Sequence, residues 1–255
     1  MRKGYFVNLV VVAAMVFSGS VVYGTPSTEY WTPCVTDIQP FGVYHITYDN
    51  YVSDNSTFPS DYGLTVGVLP FEKFQMEIGY DILVPTHTDE WFKDGSYLNA
   101  KIGTPEGKLF ENSPAWNIGI FNVGFTEGVT DYDILDIIAG KTLPANLGRI
   151  FVGGYCGLTH TLEIAASSGD GDRSGFMIGY DKGFWPVNMQ DGEFNRFVFA
   201  ADYATGENAI GGGGAGIYVY FTQNISLLTG PVWFNDEDLN GRWKWTFQLD
   251  VNFKF

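Results

Sequence analysis

Cysteine, histidine, basic residues and long apolar runs are all scarce in this chain. The two cysteines, Cys34 and Cys156, show no framework spacing. A bridge between them is permitted in an exported protein and is not required. Lys and Arg number 14 against 29 Asp and Glu, for a formal charge of −15. Such an acidic chain is repelled by phosphate backbones, which excludes nucleic acid as a partner. The one long apolar run, Tyr5 to Phe17, is shorter than the roughly 20 residues a spanning helix needs. No later segment is a helix candidate, so any membrane crossing has to be made by strands.

That short run follows Arg2 and Lys3 and precedes the small-residue stretch Ser18 to Gly24, the layout of a secretory signal. Residues 1–24 are therefore set aside as a signal peptide, which takes the charge from −15 to −17. No cysteine sits at the cleavage point to carry a lipid anchor. Residues 25–40 read as a polar periplasmic N-terminal segment, and 41–255 as one β domain. Aromatics at 17% and 32 glycines, with few helical patterns, point to an all-β fold.

The decisive pattern lies at the C-terminus. Trp245, Phe247, Leu249, Val251, Phe253 and Phe255 alternate without error with Lys244, Thr246, Gln248, Asp250, Asn252 and Lys254. Period two places the two sets on opposite faces of a strand, one apolar and one polar. The same two-faced pattern recurs over 62–68, 74–82, 97–102 and 116–120, and more weakly over 197–203, where only Asp202 is polar. A soluble sandwich also alternates, but it gives no account of an aromatic strand ending on Phe255. That terminal strand resembles the assembly signal of Gram-negative outer-membrane β-barrels, and the resemblance implies that the barrel-insertion machinery reads it. The expected fold is a closed, antiparallel, up-and-down transmembrane barrel in outer-membrane lipid.

Turn signals divide the domain into about twelve strands, near 41–49, 62–69, 74–83, 96–103, 115–123, 133–142, 150–158, 176–185, 195–204, 215–222, 225–234 and 243–255. The faces of 133–142 and 150–158 stay unassigned. The odd-numbered connections are generally longer than the even-numbered ones, as outer loops are than periplasmic turns, though 104–114 and 186–194 blur the contrast. The run Gly211 to Gly214 reads as a mobile outer loop, with close backbone approach as the alternative.

The polar faces nominate pore-lining residues. These are His45 and Asp49 on the first strand, Gln75, Glu77 and Asp81 on the third, and Asn99 and Lys101 on the fourth. Asp181, Arg196 and Asp202 follow on the eighth and ninth, with Lys244 and Asp250 on the last. An acid-rich lumen favours cations or neutral polar solutes. Cross-lumen pairing of Glu77, Asp81, Lys101, Arg196 and Lys244 would instead plug it.

Two loops partly match a calcium-binding pattern, Asp236 to Gly241 and Asp170 to Gly175, but neither places a usable ligand at its twelfth position. They read as solvated acidic loops, and no metal or cofactor is assigned. Asn55-Ser56-Thr57 and Asn224-Ile225-Ser226 read as turns. The His-x-Ser arrangement of outer-membrane phospholipases is absent around His45, and His87 and His160 fall in loops, so no catalytic residue is assigned. The leading expectation is a porin-like passive channel for small polar solutes or cations. The other is a non-conducting structural or adhesive barrel.

Overall fold

A computed structural model describes residues 28–53, 60–84, 91–189 and 192–255. The signal segment, His87 and the Asn55 triplet lie outside them. Twelve strands form a single closed barrel in which each strand pairs with its sequence neighbours and β1 closes against β12. They are β1 (Val43–Val52), β2 (Ser60–Gly67), β3 (Gln75–Val84), β4 (Ser96–Thr104), β5 (Ala115–Val123) and β6 (Ile134–Thr142). Then come β7 (Arg149–Gly157), β8 (Ser174–Met189), β9 (Gly192–Ala204), β10 (Gly212–Thr222), β11 (Ile225–Phe234) and β12 (Trp243–Lys254). The strand pairings are antiparallel, and closure of the ring leaves each strand, among the described residues, with a neighbour on both sides, the extended β8–β9 hairpin running past its neighbours.

Period two decides what each face meets. Along β12, Trp243, Trp245, Phe247 and Leu249 are exposed outward, while Lys244, Thr246, Gln248 and Asp250 are buried inward. Ile46, Leu64, Ile78, Ile102, Ile118 and Ile178 continue the exposed apolar belt round the barrel. The two strands without an assigned face carry large apolar side chains on both sides, with Asp136 and Arg149 as the charged members of their inward faces. Ile134 and Ile138 of β6 and Phe151 and Tyr155 of β7 point inward and are buried, while Leu135, Ile137 and Val152 point outward.

The inward apolar residues are covered by the chain's own N-terminal segment. A twelve-strand barrel encloses more space than wall side chains fill, and residues 28–40 occupy part of it. The segment expected to stand in the periplasm is, over these residues, threaded through the lumen. Cys34 and Val35 pack on Ile134, Ile138, Phe151, Tyr155 and Met177. Tyr30, with Trp31 beside it, packs on Tyr51, Ala200, Tyr218, Leu228, Val232 and Phe234. Both buried clusters therefore lie inside the barrel.

Two local readings are corrected. The glycine run is not a free loop, because Gly212 to Gly214 begin β10. A Cβ on Gly214 would lie 2.4 Å from Tyr30 Cε1, and one on Gly216 would lie 2.6 Å from Tyr30 Cε2. Small residues let the ring lie flat on the wall. Gly216→Ala, which also meets the Thr229 carbonyl oxygen at 2.4 Å, is expected to displace Tyr30 and lower the melting temperature. An unchanged melting curve would contradict this. The stretch 186–194 is largely strand: β8 and β9 stay paired to Met189↔Gly192, well past Arg149↔Asp181 and Val219↔Phe197, where β7 and β10 leave them. Pro186 reads as a breaker yet is tolerated on this hairpin, whose outer edges are free. The cysteines are unbridged, Cys34 lying inside the lumen and Cys156 following inward-facing Tyr155 on β7.

Candidate lumen site

Burying the backbone of residues 28–40 requires partners for its polar groups, and the wall supplies them. The amides of Tyr30, Trp31 and Thr32 all donate to Asp202 Oδ2, at 3.0, 2.9 and 2.7 Å, and the Thr32 hydroxyl adds a fourth bond at 2.9 Å. Gln39 N donates to Glu77 Oε2 at 2.7 Å, and its side chain donates to Asn252 Oδ1 at 3.0 Å. Asn117 Nδ2 donates to the Val35 carbonyl at 2.7 Å, Gln248 Nε2 to that of Tyr30 at 3.0 Å, and Tyr218 OH to that of Glu29 at 3.0 Å. Arg149 clamps Asp37 through two bonds of 2.7 and 2.8 Å while also binding Asp181. The segment turns at Glu29–Thr32, where Glu29 N meets Thr32 O at 2.9 Å.

Two spaces remain beside the segment. One, of about 410 Å³, is bounded by Trp31, Tyr51, Tyr97 and Tyr132 and runs along the β1–β6 wall toward the long loops, reaching Asp94 and Leu239. The other, of about 350 Å³, sits near the short turns between Asp37, Arg149, Asp181 and Tyr220. Among the described residues, the larger chamber carries six acids, Asp49, Asp61, Glu77, Asp81, Asp94 and Asp136, and one basic side chain, Lys101.

The nominated residues divide by position. Asp49, Glu77, Asp81, Asn99 and Lys101 line the larger chamber, and Asp181 lines the smaller. Lys101 lies 3.9 Å from Glu77. Asp202 holds the segment. His45 is buried, with Nδ1 3.0 Å from Asn252 Oδ1 and Nε2 3.4 Å from Asp250 Oδ1. The Ser226 hydroxyl bonds to Asp250, not to His45. Lys244 is buried, donates to the Asn240 carbonyl, and lies 5.2 Å from the centre of the Phe234 ring. Gln75 is half-buried at the start of β3. Arg196 donates to the carbonyls of Tyr220 and Phe221 at 2.8 and 3.1 Å, so its charge is spent on the wall of β10.

Asp37, Asp61, Asp136 and Arg149 escaped the sequence reading. Asp61 and Arg149 fall one residue outside the strands as read, and Asp136 sits on a strand with no assigned face. Asp37 belongs to a segment whose place inside the barrel has no periodic signature.

The acidic loops serve the fold. Asp236 accepts from Ser167 N at 2.7 Å and from Leu239 N at 2.9 Å, capping the short helix Glu237–Asn240. Burial works to raise its carboxyl pKa, but these bonds outweigh burial and hold it below the usual range. Asp172 accepts from Glu207 N at 3.0 Å, tying two loops together. His160, in the exposed loop after β7, contacts Glu163 at 3.0 Å.

No protein-family description matches the chain. No curated protein is similar to it in sequence. Among solved structures, KdgM porin shares 6% identity at a TM-score of 0.49, over 83% of this chain and 99% of that one. NanC porin shares 10% at 0.49, over 83% of this chain and all of that one, 100%. An outer-membrane channel from Pseudomonas putida F1 shares 9% at 0.45, over 91% and 100%. These neighbours are outer-membrane porins and channels. At such identity and score the likeness carries no solute, site or mechanism to this chain.

Proposed function

We propose that the protein is a bacterial outer-membrane barrel that passes small polar solutes, with a preference for cations, through a lumen narrowed by its own N-terminal segment. The support is the acid-lined chamber inside a wall whose outer face is an apolar belt. Exposed Trp245, Phe247, Leu249, Ile46 and Ile178 would be a liability in water and are at home in lipid. The closed hydrogen-bonded wall meets the condition for a backbone in hydrocarbon. With the long loops outward, both ends of the barrel domain face the periplasm. The alternating β12, which closes the barrel against β1, is the strand for the insertion machinery to read.

The mechanism is passive. Solute enters between the long loops and meets a chamber lined, among the described residues, by six acids and one lysine. In that confined, weakly screened space the field favours positive charge. No side chain is assigned a chemical step. A second reading, a non-conducting structural or adhesive barrel, is favoured by the filling of the lumen by residues 28–40.

Single-channel recording of the refolded mature chain in a potassium chloride gradient separates the two. The channel is expected to give discrete steps with a cation-selective reversal potential. Asp49→Asn with Asp81→Asn is expected to move that potential toward zero. A silent barrel that still shows heat-modifiable migration on a gel would reject conduction and keep the structural role.

A further inference from the structure

The wall pairs or occupies most of its buried acids. Glu77 has Lys101 and the Gln39 amide, Asp181 has Arg149, and Asp202 has three backbone amides. Asp49, Asp61 and Asp81, half-buried on β1, β2 and β3, depart from this rule. Asp49 and Asp61 are direct cross-strand partners, an arrangement in which like charges repel. Asp81 projects over Gly63, where a Cβ would lie 2.7 Å from its Oδ1 and 2.5 Å from Thr47 Cγ2. The missing side chain thus lets a third carboxylate approach β1. Asp49 accepts from the Thr47 hydroxyl at 2.7 Å and Asp81 from the Asn99 amide. Among the described residues no ion pair reaches any of the three.

A second observation points to a ligand in the same chamber. Asp136 is 3% exposed and lines the same chamber from β6, yet among the described residues its Oδ1 has no hydrogen-bond partner. Gly119 gives its carboxylate room, a Cβ there lying 2.8 Å from Oδ2. Leaving a buried carboxylate oxygen unpaired is costly unless something in the chamber meets it.

We propose that this chamber binds a small organic ammonium compound, of the aliphatic diamine class, between the Asp49–Asp61–Asp81 group and Asp136. Among the described residues no three acidic, His or Cys side chains converge closely enough to hold a metal ion. Spread carboxylates suit an ammonium ion, which takes hydrogen bonds without a fixed coordination shell. The rings of Trp31, Tyr51 and Tyr97 bound the space and suit the alkyl stem and the cationic ends of such a ligand. A volume of about 410 Å³ admits a short diamine. The inference rests on the lumen being open to solutes from the long-loop end.

Calorimetric titration of the full refolded chain with 1,4-diaminobutane, beside the uncharged 1,4-butanediol, tests it. Saturable one-site binding of the diamine and none of the diol is expected. Asp61→Asn with Asp81→Asn is expected to weaken binding roughly tenfold or more, as when a desolvated charge pair loses a partner. Glu72→Gln with Glu111→Gln, on exposed residues, controls for attraction to an acidic surface and is expected to change nothing. Heat-modifiable migration confirms that each variant folds. Absence of diamine binding, or equal weakening by the control pair, overturns the site. A conducting barrel that binds no diamine rejects the site and keeps the channel, whereas a binding barrel with no current keeps the site and rejects conduction.

Discussion

Deleting residues 28–38 is expected to raise single-channel conductance several-fold while leaving a folded barrel. The segment separates the chamber of about 410 Å³ from that of about 350 Å³, so removing it joins them into one path. The wall does not depend on it for closure, because every strand-to-strand ladder, including β1 with β12, is formed by wall residues alone. Stability falls all the same. Tyr30, Cys34 and Val35 are almost wholly buried, and a large apolar side chain contributes about 1.5–3 kcal/mol by burial. The inner faces of Ile134, Ile138 and Phe151 would be wetted. Bilayer recordings and thermal melting read the two effects together. Unchanged conductance in a folded deletion variant would mean that the segment does not obstruct the path.

Asp202→Ala is expected to loosen the same segment without shortening it. One carboxylate oxygen gathers three amides and a hydroxyl at 2.7–3.0 Å, and this organises the turn at Glu29–Thr32. Alanine leaves these donors buried and unpaired. Breaking a buried charged network of this kind costs about 3–5 kcal/mol, although water entering from the chamber reduces the cost. Asn at the same position retains one acceptor and should fall between. The expected readouts are a red-shifted Trp31 emission, faster proteolysis within 28–40, and flickering between two current levels. Protease resistance equal to that of the unaltered chain would count against this role for Asp202.

The strands were legible because each has one face in water or against polar groups and the other on an apolar surface. β5 and β11 coincide with their expected bounds, 115–123 and 225–234. Legibility failed where the interior is apolar. Ile134, Ile138 and Phe151 erase the alternation of β6 and β7 because they pack on Cys34 and Val35. The missing polar face on those strands was itself the trace of a segment inside the barrel. Gly214 and Gly216 misled for the same reason: in a sequence they signal looseness, and here they make room for the Tyr30 ring.

The sequence by itself determined the architecture. Period-two alternation, the absence of a spanning helix and the spacing of turns leave a closed antiparallel barrel as the arrangement that satisfies every backbone group in lipid. These are local properties, repeated strand by strand. The tertiary structure alone decided what the lumen contains, that Asp202 and Glu77 hold a backbone segment, and that Asp49, Asp61 and Asp81 gather without an ion-pair partner among the described residues. Those facts join residues far apart in the chain, Tyr30 and Asp202 at 172 positions and Tyr30 and Gln248 at 218. Closure of the barrel brings such residues together, and no short-range pattern in the chain records it.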